Sequence, residues 1–288
     1  MWSARELPDL AGRTAVVTGA SSGIGAATTT ALAAAGARVI AAVRDVGRGR
    51  AALASVAGVV DLQRLDLAEL DAIRAFAAGI SEPVDILINN AGVIGGRLRR
   101  TVDGFELQFG TNHLGHFALT NLLLPVITDR VVTVSSVAHR RGRIDLLDPN
   151  FERRRYRAGV AYAQSKLANL LFTTELQARL TAAGSPLRAY AVHPGAVASG
   201  IADRFGPVAR AIGPRIVRSS SEGALPSLYA ATQPLPGGSY VVAGPRRGPG
   251  AGPRLADPSP TALDRTLAAE LWTVSEHLTR VSFGLPSA

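Results

Sequence analysis

Cysteine is absent from the 288 residues, so disulfide bonds and thiol-ligated metals are excluded. Methionine occurs once and aromatic residues make up only 5%. No apolar run approaches the ~20 residues that a membrane span requires. The opening segment carries Arg5, Glu6 and Asp9, which argues against a cleaved signal peptide. Together these absences predict a soluble, cytoplasmic protein without a membrane span. Lysine is almost missing as well: of 31 basic residues, Lys166 is the sole lysine and the rest are arginine. What remains is 47% hydrophobic and 18% charged, enough to bury a sizeable core and too apolar for disorder. The length suits one large α/β unit.

The formal net charge is +9, a balance that raises nucleic acid or an anionic surface as partners. The arginines gather in loop-like clusters at 97–100, 140–143, 153–157 and 246–247. No aromatic interleaving or base-reading motif accompanies them, so they read as a solvated basic surface rather than a nucleic-acid site.

Short Val- and Ile-rich runs at 14–18, 38–43, 59–65, 84–88, 130–134, 188–192 and 239–242 read as strands covered on both faces. Ala-rich helical stretches at 24–35, 45–57, 68–78, 105–124 and 160–183 alternate with them. This alternation predicts an α/β fold: a single doubly wound Rossmann domain, its mostly parallel seven-stranded sheet flanked by helices. The Gly- and Pro-rich stretch 234–260 reads as surface connections around the last strand. A closing helix at 261–280 follows, with Leu263, Leu267, Leu271, Val274 and Leu278 on one face.

The first strand runs into Thr18-Gly19-Ala20-Ser21-Ser22-Gly23-Ile24-Gly25, and a helix follows. Glycines in such a turn let a pyrophosphate approach the backbone, and the free N–H groups of the helix start face the anion. Further on, Tyr162 and Lys166 stand four apart, on one face of a helix. A phenol with a pKa near 10 needs roughly 4 kcal/mol of help to ionise at neutral pH. An ammonium at ~4 Å in an effective dielectric of ~20 supplies about that much. In a chain that otherwise uses arginine for every basic position, the one lysine sits here. A compact point charge is what this chemistry asks for.

The Thr-Gly-x-x-x-Gly-x-Gly spacing, Asn89-Asn90-Ala91-Gly92, Tyr162-x-x-x-Lys166 and Pro194-Gly195 together resemble the short-chain dehydrogenase/reductase family. The strings at 109–117 and 162–169, and Leu271-Trp272-x-Val274-Ser275-Glu276, are most similar to its retinol-dehydrogenase-like branch. The resemblance covers nearly the whole chain. It implies one domain, 1–288, with a cofactor half at about 10–135 and a catalytic and substrate half at about 136–288.

It also implies an oxidoreductase in which Tyr162 is the general acid/base, Lys166 its activator, Ser136 the partner of the substrate oxygen and Asn112 the anchor of a proton relay. Ser135 stands as the alternative to Ser136. His113 and His116 lack partners at metal-ligand spacing and read as histidines fitting a helix face. For the cofactor, the resemblance assigns Gly19, Ser21, Ser22, Gly23, Ile24 and Gly25 to the pyrophosphate. Asp66 and Leu67 fall to the adenine, and Asn90, Ala91 and Gly92 to its ribose. Tyr162 and Lys166 also contact the cofactor, the lysine by donating to ribose hydroxyls, and Pro194, Gly195, Val197 and Ser199 flank the nicotinamide. The family's acidic position falls on Val43 and is followed by Arg44, which implies NADP(H) over NAD(H); Asp45 is the alternative ribose ligand.

The stretch 201–218 occupies the place of the substrate lid and mixes apolar residues with arginine, implying a small apolar carbonyl or alcohol substrate. Retinoid is set aside as the natural substrate, because vertebrate members of the branch carry a membrane anchor. A homodimer or homotetramer is the implied assembly. Two alternatives stay open: reduction of an activated C=C bond, and a non-catalytic NADP-sensing regulator with a basic partner- or nucleic-acid-binding surface.

Overall fold

The computed structural model describes residues 2–196, 218–245 and 251–285. The described strands are β1 (Thr14–Thr18), β2 (Arg38–Val43), β3 (Val60–Arg64), β4 (Val84–Asn89), β5 (Ile127–Val134), β6 (Arg188–His193), β7 (Tyr240–Ala243) and β8 (Pro253–Leu255). They form one sheet in the order β3-β2-β1-β4-β5-β6-β7-β8. All neighbours are parallel except β7 and β8. The expectation of seven strands is corrected to eight. The eighth lies inside the stretch read as connection, where Pro253 opposes Ala243. An edge strand tolerates proline because one side of it needs no partner.

Both faces of the sheet are covered, as the apolar strand runs require. Val16, Ile40, Leu87 and Val131 pack on one side with Phe117, Phe172, Leu176 and Trp272. Their strand neighbours Val17, Val39, Ile86, Ile88 and Val132 pack on the other with Leu32 and Leu228. This is the period of two expected of a strand buried on both faces. The helices are α1 (Gly23–Ala34), α2 (Val46–Leu53), α3 (Leu70–Ala78), α4 (Leu107–Phe109), α5 (Gly115–Leu123) and α6 (Ala158–Ala182). The helices Ser220–Thr232 and Arg265–Thr279 follow.

In the closing helix the buried residues are Ala268, Leu271, Trp272, Ser275 and Thr279. The helix starts at Arg265, not 261, leaving Leu263 exposed in the preceding 3-10 turn. Leu271 is buried and Leu267 and Leu278 pack against the core, so the leucine stripe faces inward with the buried face rotated by about one position. Trp272 decides the rotation. Its ring packs edge-on against Phe117 with centroids 4.8 Å apart and stacks on Phe172 at 5.8 Å, and an indole buries more apolar area than any leucine.

The strand order reverses between β1 and β4, both of which leave the sheet on the same edge. In parallel sheets a crevice opens at the carboxyl ends of such strands, and ligands bind there. Among the described residues, no helix is long and apolar enough to cross a membrane.

Candidate active site

At that crevice the chain after β1 turns sharply. Gly19 (φ +69°) and Gly23 (φ +55°) adopt left-handed backbone angles that only glycine takes at little cost. A Cβ on Gly25 would sit 2.2 Å from the Gly19 carbonyl oxygen, so the turn closes only with glycine there. Ser22 precedes α1 but makes no side-chain cap bond. The first-turn N–H groups are left open to an anion. The turn is tied to β4 through Thr18, whose Oγ1 accepts from the N–H groups of Asn90 and Ala91, both at 2.9 Å. Asn90 Nδ2 donates back to the Thr18 carbonyl at 2.7 Å.

The turn opens into one cleft of about 1240 Å³, larger than the ~300–1,000 Å³ of a single small-molecule site. Its walls contain Gly19, Ser21, Ser22, Gly23, Ile24, Gly25, Arg44, Asp66 and Leu67. They also contain Asn90, Ala91, Gly92, Ser136, Tyr162, Lys166, Pro194 and Gly195. Of the sequence-derived site residues within the described regions, only Asn112 is not on the wall; it is buried behind it. Val197, Ser199, the proposed lid at 201–217 and the cluster at 246–247 lie outside the described residues.

Ser135 and Ser136 follow β5 and both border the cleft, but their hydroxyls differ. Ser135 is buried and donates to the Lys166 carbonyl at 2.7 Å, so its hydroxyl is committed to holding α6 on the sheet. Ser136 faces the cleft, and its Oγ accepts from the Ala138 N–H at 3.3 Å. Burial pushes the Tyr162 pKa up, and the nearby Ser136 hydroxyl pulls it part of the way back. Lys166 is buried, donates from Nζ to the Val134 carbonyl at 3.0 Å, and lies 5.8 Å from the centre of the Tyr162 ring. Loss of solvent lowers its ammonium to about 8.

Asn112 sits in a π-helical turn, Gly110–Leu114, between α4 and α5 where the sequence suggested one continuous helix. Single π turns of this kind recur at functional sites. Its Oδ1 accepts from the Val93 N–H at 2.7 Å. Its Nδ2 donates to the Val93 carbonyl at 3.1 Å and to Ser165 Oγ at 2.9 Å. A Cβ on Gly92 would lie 3.5 Å from both Asn112 Oδ1 and Lys166 Nζ, which marks where the two meet beside the cleft.

Two contributors escaped the sequence reading, Arg48 and His139. Arg48 joins Arg44 on the cleft wall, one turn into α2. Asp45, the alternative ribose ligand, also lies on the cleft wall and caps α2 by accepting from the Arg48 N–H at 3.0 Å. An Asp directly before a helix is itself a cap signal. His139 approaches the Ser136 carbonyl with Nδ1 at 2.7 Å and accepts the Ser259 N–H at Nε2, 3.1 Å away. It therefore fixes the backbone that carries Ser136, through a partner 120 positions away that the sequence does not reveal.

A profile of the short chain dehydrogenase family matches residues 13–207. Human retinol dehydrogenase 13 is 41% identical over 93% of this chain and 84% of its own length. Human retinol dehydrogenase 12 is also 41% identical, over 92% of this chain and 86% of its own. Among solved structures, an uncharacterized protein of Mycobacterium paratuberculosis is 53% identical, with a TM-score of 0.88 and 99% of each chain covered. The Pseudomonas aeruginosa RhlG/NADP active-site complex is 26% identical with a TM-score of 0.65, covering 81% of this chain and 95% of that one. The family motifs converge on a single cleft of a doubly wound sheet. The chain belongs to the short-chain dehydrogenase/reductase family, as an NAD(P)-dependent enzyme of its retinol-dehydrogenase-like branch.

Proposed function

We propose that the protein is an NADP(H)-dependent oxidoreductase acting on a carbonyl or alcohol of an apolar small molecule. The observation that carries this reading is the meeting of Ser136, Tyr162 and Lys166 in the same cleft as the glycine turn. The cradle fits a dinucleotide: its helix start is uncapped, and cations line the wall beyond β2. Gly19 and Ser21 to Gly25 would hold the pyrophosphate, and Asp66 and Leu67 the adenine. Asn90 to Gly92 would run beside its ribose. Pro194, Gly195, Val197 and Ser199 would flank the nicotinamide, which supplies or accepts the hydride when bound.

The protein's own side chains then manage the proton. Ser136 donates a hydrogen bond to the substrate oxygen as charge develops on it. Tyr162 gives its phenolic proton to that oxygen in reduction and takes it back in oxidation. Lys166 favours the phenolate by its charge. Asn112, fixed in the π turn, anchors the relay behind Lys166. Retinol dehydrogenases act, by their name, on an apolar alcohol, which supports the same class of substrate here.

The preference for NADP rests on Arg44 and Arg48 both lining the cleft, where Asp45 also lies but spends one oxygen on the Arg48 N–H as a helix cap. Guanidinium groups bind a 2′-phosphate through charge-assisted hydrogen bonds. Arg44→Asp is expected to raise the NADPH dissociation constant by about tenfold or more, the worth of one such bond, and to improve NADH binding. An unchanged NADPH/NADH ratio in a fluorescence titration would refute the assignment.

The test of the whole reading is nucleotide titration followed by a panel of aldehydes and ketones, watched at the NADPH absorbance. NADPH binding with oxidation by a member of the panel is the expected result. Failure to bind either nucleotide would overturn it.

A further inference from the structure

His116 lies on α5, fully buried, one helical turn after Asn112. Its Nε2 is 2.9 Å from Thr18 Oγ1, and its Nδ1 is 3.0 Å from the Asn112 carbonyl oxygen. The protons on this ring can be assigned from its partners. Thr18 Oγ1 already accepts two backbone N–H groups at 2.9 Å, so it faces His116 with its one hydrogen. The other acceptor within reach, the Ile88 carbonyl, is farther away at 3.4 Å. Nε2 is therefore an acceptor. The Asn112 carbonyl has no hydrogen to give, so Nδ1 carries the proton and donates it. Both ends demand the same neutral tautomer. Burial agrees, holding the His116 pKa down to about 4, with the Lys166 charge adding a smaller push in the same direction.

The Asn112 side chain makes a second link. Asn112 Nδ2 donates to Ser165 Oγ at 2.9 Å, and Ser165 Oγ donates to the Tyr162 carbonyl at 2.8 Å. Two hydrogen-bonded links thus meet at Asn112: its backbone carbonyl is tied through His116 and Thr18 to the cradle, and its side chain is tied through Ser165 to the Tyr162 carbonyl. The residue's own covalent frame joins them, so moving its peptide moves its side chain.

We propose that His116 is a positioning residue for the reaction, a neutral Nδ1–H imidazole that locks the Asn112 peptide of the π turn to the dinucleotide cradle and so sets the register between the two. This rests on the oxidoreductase reading above. Without His116, Thr18 keeps its bonds to Asn90 and Ala91, so the cradle survives. The Asn112 peptide, however, loses its tether beside Lys166. The loss should therefore fall on kcat rather than on nucleotide binding.

His116→Leu removes both bonds at similar volume, whereas His116→Gln places an amide where one end can donate and the other accept. In His116→Leu, kcat is expected to fall about 30- to 100-fold, the scale of a misplaced catalytic group. The NADPH dissociation constant should stay within about threefold, as expected when the cradle's own hydrogen bonds are intact. The pH at half-maximal kcat for alcohol oxidation should also move, because the surroundings of Lys166 have changed. His116→Gln should recover most of the lost kcat.

Nitrogen-15 NMR of the wild-type ring supplies a readout independent of turnover and of variant folding, and should show the Nδ1–H form at pH 7. An Nε2–H or doubly protonated ring overturns the proposal. So does a His116→Leu enzyme with wild-type kcat and pH profile, or one in which kcat and thermal stability fall but glutamine restores neither. If the wild-type protein binds NADPH yet turns over no carbonyl or alcohol, the oxidoreductase reading fails and takes this role with it. Turnover in the wild type that is unchanged in the variants sinks the role of His116 alone.

Discussion

Tyr162→Phe is expected to bind NADPH as the wild type does and to lose about 10³-fold in kcat, within the range for removal of a general acid/base. The substitution deletes one oxygen from a ring held on the long helix α6. The ring itself still fills its place, and Lys166 keeps its bond to the Val134 carbonyl. Ser136 retains the Ala138 N–H. Neither the glycine turn nor Arg44 is touched, so nucleotide affinity reports an intact cradle. What disappears is the hydroxyl proposed to exchange a proton with the substrate oxygen. Stopped-flow measurement of NADPH oxidation against a carbonyl that the wild type reduces gives the answer. A kcat within tenfold of wild type would remove Tyr162 from the chemistry and shift attention to Ser136. A phenylalanine variant that also fails to bind NADPH would instead point to a folding defect, which circular dichroism separates.

The parts of the fold and site legible in the sequence are those set by local pattern. β1 and β2 begin and end where their β-branched runs do, because both faces of a central parallel strand must be apolar. The glycine turn, Tyr162 and Lys166 were legible for a related reason: each motif is contiguous or spaced by one helical turn, and the chemistry constrains residue types within it. β5 starts earlier than its apolar run suggests, at Ile127. Its first polar residues are supported from far away, Asp129 by Arg13 at 2.5 Å and Arg130 by the carbonyls of Ala230 and Gln233. β8 has no strand pattern of its own and exists because β7 offers it an edge.

The site was illegible in the same places, where a partner distant in sequence decides. Periodicity cannot separate an α-helix from a π turn. Here the turn is packed so closely that a Cβ on Gly110 would meet Thr101, and one on Gly115 would strike the Leu67 carbonyl. Ser135 and Ser136 are chemically identical until Lys166 claims the first. The histidines His113 and His116 fit a helix face, as expected. Their partners Ser275 and Thr18 come from opposite ends of the chain, and no spacing rule points to either.

Those two histidines make the folded state acid-labile. Burial, and for His113 then the neighbouring His116, holds their pKa values down to about 3 and about 4 from the ordinary 6.5. Each is depressed in the folded chain, so between 6.5 and those values the unfolded chain binds more protons. Stability is therefore full above about pH 6.5 and falls as pH drops below it. At pH 5 each group lies about 1.5 units under its unfolded pKa, a loss of about 2 kcal/mol each and about 4 kcal/mol together. His193, also lowered to about 4 chiefly by burial, acts in the same direction. Set against a typical total of about 5–15 kcal/mol, this is a large fraction.

The melting temperature is expected to fall by roughly 8–15 °C between pH 7.5 and pH 5. Carboxylates with ordinary values near 4 contribute little in that window; Glu106, raised by burial, works in the opposite direction, so the histidine share is read from the variant. His113→Gln keeps an amide near Ser275 and removes one titrating group. It should melt lower at pH 7.5 yet lose stability less steeply on acidification, by about 1.4 kcal/mol per pH unit. A melting temperature that is flat from pH 7.5 to 5 would mean that these rings are protonated as easily inside the fold as in water, and a slope identical in His113→Gln would remove His113 from the account.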